Sequence, residues 1–77
     1  MKHLIMYKIY SRPFCSFCEL AKILMMERGI EFEEVGLSED KDREWFKAQG
    51  YKTVPQIFDD EGNHIGGYEE LRNFFLK

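Results

Sequence analysis

An α/β fold in the order βαβαββα is what this sequence predicts, on three observations. The apolar, β-prone run Leu4 to Tyr10 leads into a stretch of helically spaced apolar residues and then into a loosely alternating run, Glu31 to Leu37. A hairpin signal follows at Asp59-Asp60-Glu61-Gly62, and an amphipathic segment from Tyr68 to Leu76 closes the chain. Strand, helix and strand within roughly thirty residues make a βαβ unit, whose crossover is right-handed by default.

The elements follow in order. Leu4 to Tyr10 is apolar on both faces, as expected of a strand in the middle of a sheet. From Phe17, apolar residues recur at Leu20, Ala21, Leu24 and Met25, the spacing of a buried helix face, and Gly29 supplies the stop. Ser38 or Asp40 is expected to cap a second helix that carries Trp45 and Phe46 and ends near Gly50. Pro55-Gln56-Ile57-Phe58 and Asn63-His64-Ile65 flank the turn as two strands. The last helix is expected to put Leu71, Phe74 and Phe75 on one side.

Seventy-seven residues are read as one domain, 1–77, with no linker, repeat or low-complexity tract. Hydrophobic residues are 44% and aromatics 16%, enough to fill a core without a structural metal or disulfide. Fourteen acids against 11 bases give a net charge of -3, which argues against nucleic acid as a partner. After Met1-Lys2-His3 the run Leu4 to Tyr7 is cut by Lys8, too short for a signal core or a membrane span, so a cytoplasmic setting is expected.

Cys15-Ser16-Phe17-Cys18 holds both cysteines of the chain, at the head of the first helix. Residues three apart on a helix have Cα atoms about 5 Å from each other, within reach of a disulfide. Cys15 stands at or before the first turn, exposed, and Cys18 one turn in, shielded; the first is expected to attack and the second to resolve. At an unperturbed pKa near 8.5 only roughly 3% of a thiol is ionised at pH 7, and a helix terminus alone contributes too little to correct that. Backbone N–H groups of Phe17 and Cys18 and the charge of Arg12 are the expected supplements, with Glu19 opposing them.

Two blander readings compete. A CxxC can be half of a zinc site, but His3 and His64 lack ligand spacing and there is no second CxxC, so no metal site is assigned. Inert core cysteines fit poorly, because Cys15 falls between Pro13-Phe14 and a helix start. Met25-Met26 reads as core filling, Trp45-Phe46 as packing of the second helix onto the sheet, and Glu39 to Glu44 as a solvated helix start.

Three motifs together, Cys15-Ser16-Phe17-Cys18, Thr53-Val54-Pro55 and Ile65-Gly66-Gly67-Tyr68-Glu69-Glu70-Leu71, resemble the glutaredoxins in order and spacing across essentially the whole chain. The chain looks most like the short bacterial or bacteriophage dithiol members. The resemblance implies a thioredoxin-like fold, with a four-stranded mixed sheet in order 2-1-3-4 and three helices around it. It implies glutathione as reductant, no tightly bound cofactor, a monomer, and disulfide-containing or glutathionylated proteins as partners, ribonucleotide reductase among them.

The resemblance also implies a glutathione site. Arg12 and Lys52 would face the glycine carboxylate, and Phe17 keeps the ring of the usual Tyr but not its hydroxyl. Thr53, Val54 and Pro55 would present the Val54 backbone to the dithiol across a cis bond, although X–Pro bonds alone are expected trans. Without the resemblance, Pro55 reads equally well as a proline opening a strand. Gly66, Gly67 and Tyr68 would offer N–H groups to the γ-glutamyl carboxylate, with Glu69 or Glu70 receiving the α-amino group. The glycines otherwise serve close packing or positive φ.

The expected activity is glutathione-dependent thiol–disulfide oxidoreduction. Reduction by thioredoxin reductase is one alternative. A glutathione-ligated [2Fe–2S] dimer is another, since Ser16 stands where most dithiol members have Pro.

Overall fold

The computed structural model of the chain describes residues 6–76. Its elements are β1 (Tyr7–Ser11), α1 (Ser16–Glu27), β2 (Phe32–Gly36), α2 (Asp40–Ala48), β3 (Gln56–Phe58), β4 (His64–Gly66) and α3 (Tyr68–Leu76). The expected order holds. The part of the first strand expected at Leu4 and Ile5 lies outside the described residues, as does His3.

The four strands form one sheet in the order β2-β1-β3-β4. β1 runs parallel to β2, with Ile9 opposite Glu34, and antiparallel to β3, with Ile9 opposite Ile57. β1 is therefore central. Its alternation divides the molecule: Ile9 joins Ala21, Met25, Ile57 and Leu71 in a core under α1 and α3. Tyr10 points the other way, onto α2, with ring centroids 5.5 Å from Phe46 and 5.9 Å from Trp45. Phe58 closes this second cluster edge-on at 5.7 Å.

Both α1 and α2 end in a Schellman turn. Ile30 N–H reaches the Met25 carbonyl at 2.9 Å and Gly29 N–H the Met26 carbonyl at 3.0 Å, with Gly29 at φ 70°. The same pair of bonds at the end of α2 runs from Tyr51 and Gly50 to Phe46 and Lys47. In the β3–β4 turn the Asp59 carboxylate accepts from the N–H groups of Glu61 and Asn63, at 2.9 and 2.8 Å, ahead of Gly62.

Several expectations need correction. The residue before α2 is Glu39, and it makes no side-chain cap; Asp40 instead pairs with Arg43 inside the first turn. Phe74 does not share the buried side of α3 with Leu71 but is exposed, and Leu20 is exposed on α1. Met25 is fully buried while its neighbour Met26 is 60% exposed, so only one of the pair fills the core. Trp45-Phe46, by contrast, packs α2 onto the sheet as expected, both rings against Tyr10, with Phe46 buried and Trp45 half exposed.

Candidate active site

Cys15 is the N-cap of α1, with an extended backbone at φ −116° and ψ 106°. Its Sγ accepts the Cys18 N–H at 3.2 Å, the bond a Ser or Asp oxygen ordinarily makes at this position. Its carbonyl takes the Glu19 N–H, the first turn of the helix. Of the two expected N–H donors to sulfur, Cys18 supplies one; no bond from Phe17 is found among the described residues. Cys18 lies on the buried face of α1 with Ala21 and Met25, at 1% exposure, whereas Cys15 is half-buried. The two are disulfide-bonded, with Cα atoms 5.3 Å apart.

Val54 meets them from the β3 side. The Val54–Pro55 peptide is cis, and the Val54 carbonyl oxygen stands 4.0 Å from Cys15 Sγ. Gln56 braces this turn from below. Its Nε2 donates to the Thr53 carbonyl at 3.1 Å and to Thr53 Oγ1 at 3.3 Å, and its Oε1 lies 2.6 Å from His64 Nε2. Gln56 itself is buried, and the sequence reading passed over it.

Two hollows open beside the dithiol. The larger, about 330 Å³, brings Arg12, Cys15, Lys47, Lys52 and Val54 together with Phe14. Arg12 and Lys52 were expected there; Lys47, from α2, was not. Arg43 also lines it but is engaged, donating to the Leu37 and Ser38 carbonyls at 3.3 and 3.0 Å and pairing with Asp40. A chain of net charge -3 thus presents cations around its reactive sulfur.

The smaller hollow, about 210 Å³, collects Phe17, Thr53, Val54, Pro55 and the segment 67–70. Phe17 stacks on Tyr68 at 5.9 Å, so the ring has a use without its hydroxyl. Gly66 is not part of this lining; it is buried at the end of β4 with φ 128°, where a Cβ would come within 2.8 Å of Glu70 Cβ and Cγ. The two glycines are not both bare. Glu70 Oε1 accepts the Gly67 N–H at 2.9 Å, which is the return half of a capping box. The N–H groups of Tyr68, Glu69 and Glu70 precede the first intrahelical bond, Leu71 N–H to the Gly67 carbonyl.

A polar chain runs behind α1. Lys22 Nζ lies 3.0 Å from both Glu19 and Glu34, and buried Ser11 Oγ donates to Glu34 at 2.7 Å. The Ser11 bond first, then Lys22, holds the Glu34 carboxyl below its ordinary range. The bonds to Glu19 and Glu34 push Lys22 up. The opposing charge expected of Glu19 therefore carries its own counterion. The Glu19–Lys22 spacing was readable on a helix, but nothing in the sequence links Ser11 to Glu34, 23 residues away.

Among the described residues no group of three or more His, Cys, Asp or Glu could hold a metal ion, and no helix is long and apolar enough to cross a membrane. A strand, a cysteine pair at the head of the following helix, and a cis-proline turn facing the first sulfur define a thiol–disulfide oxidoreductase of thioredoxin-like fold. The chain belongs to the glutaredoxin family, whose model matches residues 7–65. It is 39% identical over 66 residues to glutaredoxin 3 of Escherichia coli, covering 83% of this chain and 78% of that one. It is 41% identical over 68 residues to the hybrid peroxiredoxin of Haemophilus influenzae, covering 87% of this chain but spanning only 28% of that relative. Its structure is similar to glutaredoxin 1 of Francisella tularensis, crystallised with cacodylate, at a TM-score of 0.78 and 33% identity, covering 92% of this chain and 96% of that one.

Proposed function

We propose that this protein reduces protein disulfides and glutathione mixed disulfides with glutathione as the electron source. The observation that carries the reading is the asymmetry of the pair: Cys15 Sγ is reachable and accepts the Cys18 N–H at 3.2 Å, while Cys18 is sealed behind it. That bond, the N-terminus of α1 and the neighbouring cations all favour the anionic form of Cys15. Cys15 thiolate attacks one sulfur of a protein disulfide, forming a mixed disulfide and expelling the other sulfur as thiolate. Cys18 thiolate then attacks Cys15 Sγ, the substrate leaves as its second thiolate, and two electrons have passed to the substrate. One glutathione thiolate reopens the Cys15–Cys18 bond on Cys15, freeing Cys18. A second attacks the glutathione sulfur, releasing glutathione disulfide and Cys15 thiolate.

Glutathione is an extended anion with a cysteine in its middle, and the two hollows offer it matching ends. Arg12, Lys52 and the unanticipated Lys47 take the glycine carboxylate. The Val54 backbone pairs with the cysteine residue. Phe17, Thr53, Pro55 and Tyr68 wall the second hollow, where the free N–H groups at the start of α3 receive the γ-glutamyl carboxylate. Because Glu70 is committed to Gly67, Glu69 takes the α-ammonium. Gly66 serves by leaving room for Glu70. A monomer in the cytoplasm suits this chemistry, since a reducing compartment lets a lone CxxC cycle, and ribonucleotide reductase is a fitting acceptor.

Single Ser variants test the assignment. Cys18→Ser should still reduce a glutathione mixed disulfide through Cys15 alone but lose protein-disulfide reduction, and Cys15→Ser should lose both. An active Cys15→Ser protein would invert the roles.

A further inference from the structure

Phe14, covalently adjacent to Cys15, carries two burdens that the reaction as described does not use. Among the described residues it is the only non-glycine with positive φ, at 59°, a region that L residues of its bulk seldom enter. Its side chain is also fully exposed, at 106%, and its ring takes part in none of the aromatic pairs found among the described residues. Phe17, three residues on, has a stacking partner in Tyr68; Phe14 has none. Residues held in such sparsely populated backbone regions cluster at active sites and ligand clamps, so an outlier beside the reacting sulfur points to a role in the site. The ring stands at the mouth of the larger hollow, which Cys15, Thr53 and Val54 also line.

We infer that Phe14 is a specificity-determining contact for protein disulfides: its ring receives an apolar side chain next to the target cysteine of an extended substrate segment laid against Val54. This rests on the reading of the site given above. Glutathione has no use for the contact, because its glutamyl, cysteinyl and glycyl units bring no apolar side chain. A polypeptide does bring one, and an apolar contact formed at the moment of docking removes both surfaces from water. Aromatic side chains, Phe among them, are enriched in the buried centres of protein interfaces, with polar residues around them. Phe14 therefore separates the two substrate classes that Cys15 serves.

The experiment compares wild type with Phe14→Ala, Phe14→Gly and Phe14→Tyr on three substrates, with dithiothreitol regenerating the enzyme in every arm. The substrates are a disulfide-linked peptide with Leu beside its cysteine, the same peptide with Ser there, and a glutathione mixed disulfide of a small thiol. Phe14→Ala and Phe14→Gly should lower kcat/KM on the Leu peptide about tenfold while the other two substrates stay within twofold, and Phe14→Tyr should behave as wild type. Glycine accepts the positive φ freely, so that variant keeps the turn while removing the ring. An equal fall on all three substrates would show that Phe14 only shapes the turn around Cys15, and no fall on any would show that it touches nothing; either overturns the inference. Replacing dithiothreitol with glutathione tests the glutathione reading separately. A wild type that glutathione cannot regenerate defeats that reading and leaves the peptide comparison standing.

Discussion

The Glu70 carboxylate reaches back across the first turn of α3 and accepts the Gly67 N–H at 2.9 Å. Two adjacent acids of the same type thereby acquire different work. Glu69 is exposed and joins none of the ion pairs found among the described residues, so its charge is free for a ligand. Glu70 is spent on the helix terminus it belongs to.

Stability and binding should therefore separate cleanly between them. Loss of a helix cap costs about 1 kcal/mol, and in a domain of this size 1 kcal/mol lowers Tm by about 4–8 °C. Glu70→Ala should show that drop in a thermal melt. Glu69→Gln should melt with the wild type and raise the KM for glutathione several-fold. Exchanged outcomes would mean that Glu70 turns outward when ligand binds.

Gly29 offers a test of backbone conformation alone. It sits at φ 70° after α1, and a Cβ there would meet nothing within 4 Å. Gly29→Ala should accordingly cost about 1 kcal/mol from the left-handed conformation and nothing from crowding. Gly29→Asn should cost less, because Asn visits that region more readily. Gly66→Ala should be worse than either, since strain at φ 128° adds to a 2.8 Å clash with Glu70. Urea midpoints of the three variants rank them directly.

Met25 and Met26 mark where the sequence stopped being informative. Patterns of period 2 and 3.6 are local, so the type and order of all seven elements were legible in the residues themselves. The helical spacing already put Met25 on the buried face of α1; how far that face extends, and so whether Met26 joins it, depends on where α3 lands against α1, which no local pattern carries. Leu20 and Phe74 were misplaced for the same reason. Around the dithiol, Arg12, Lys52, the segment 53–55 and the segment 67–70 were legible through the family motifs. Lys47 comes from a different element, Gln56 works through a loop it follows, and Ser11 meets Glu34 only once β1 and β2 pair. Met25→Ala should cost about 2–5 kcal/mol as a core truncation. Met26→Ala, at an exposed site, should stay within about 0.5 kcal/mol. Equal losses would move the core boundary outward.

Glu34 should make stability fall with acid in a way that one substitution removes. Its carboxyl is held below the ordinary 4.5, first by Ser11 and then by Lys22. A depressed folded-state value means that the unfolded chain binds the proton first, so the contribution is complete above 4.5 and fades as pH falls through the folded value. Lys22 works in the opposite sense: raised above 10.5, it contributes fully below that value and loses its share as pH climbs beyond it. Glu34 is partly exposed, so solvent screens the pair and the effect is modest. Glu34→Gln should therefore melt below the wild type at pH 7, and the gap should close below pH 4.5 as the wild-type carboxyl takes up its proton. Added salt should narrow the gap at pH 7 only in part, because Ser11 is buried and its hydrogen bond to Glu34 is not a free ion pair. A gap that stays constant from pH 7 down to acid would show that Glu34 acts through packing, and the charge network would lose its role in joining α1 to the sheet.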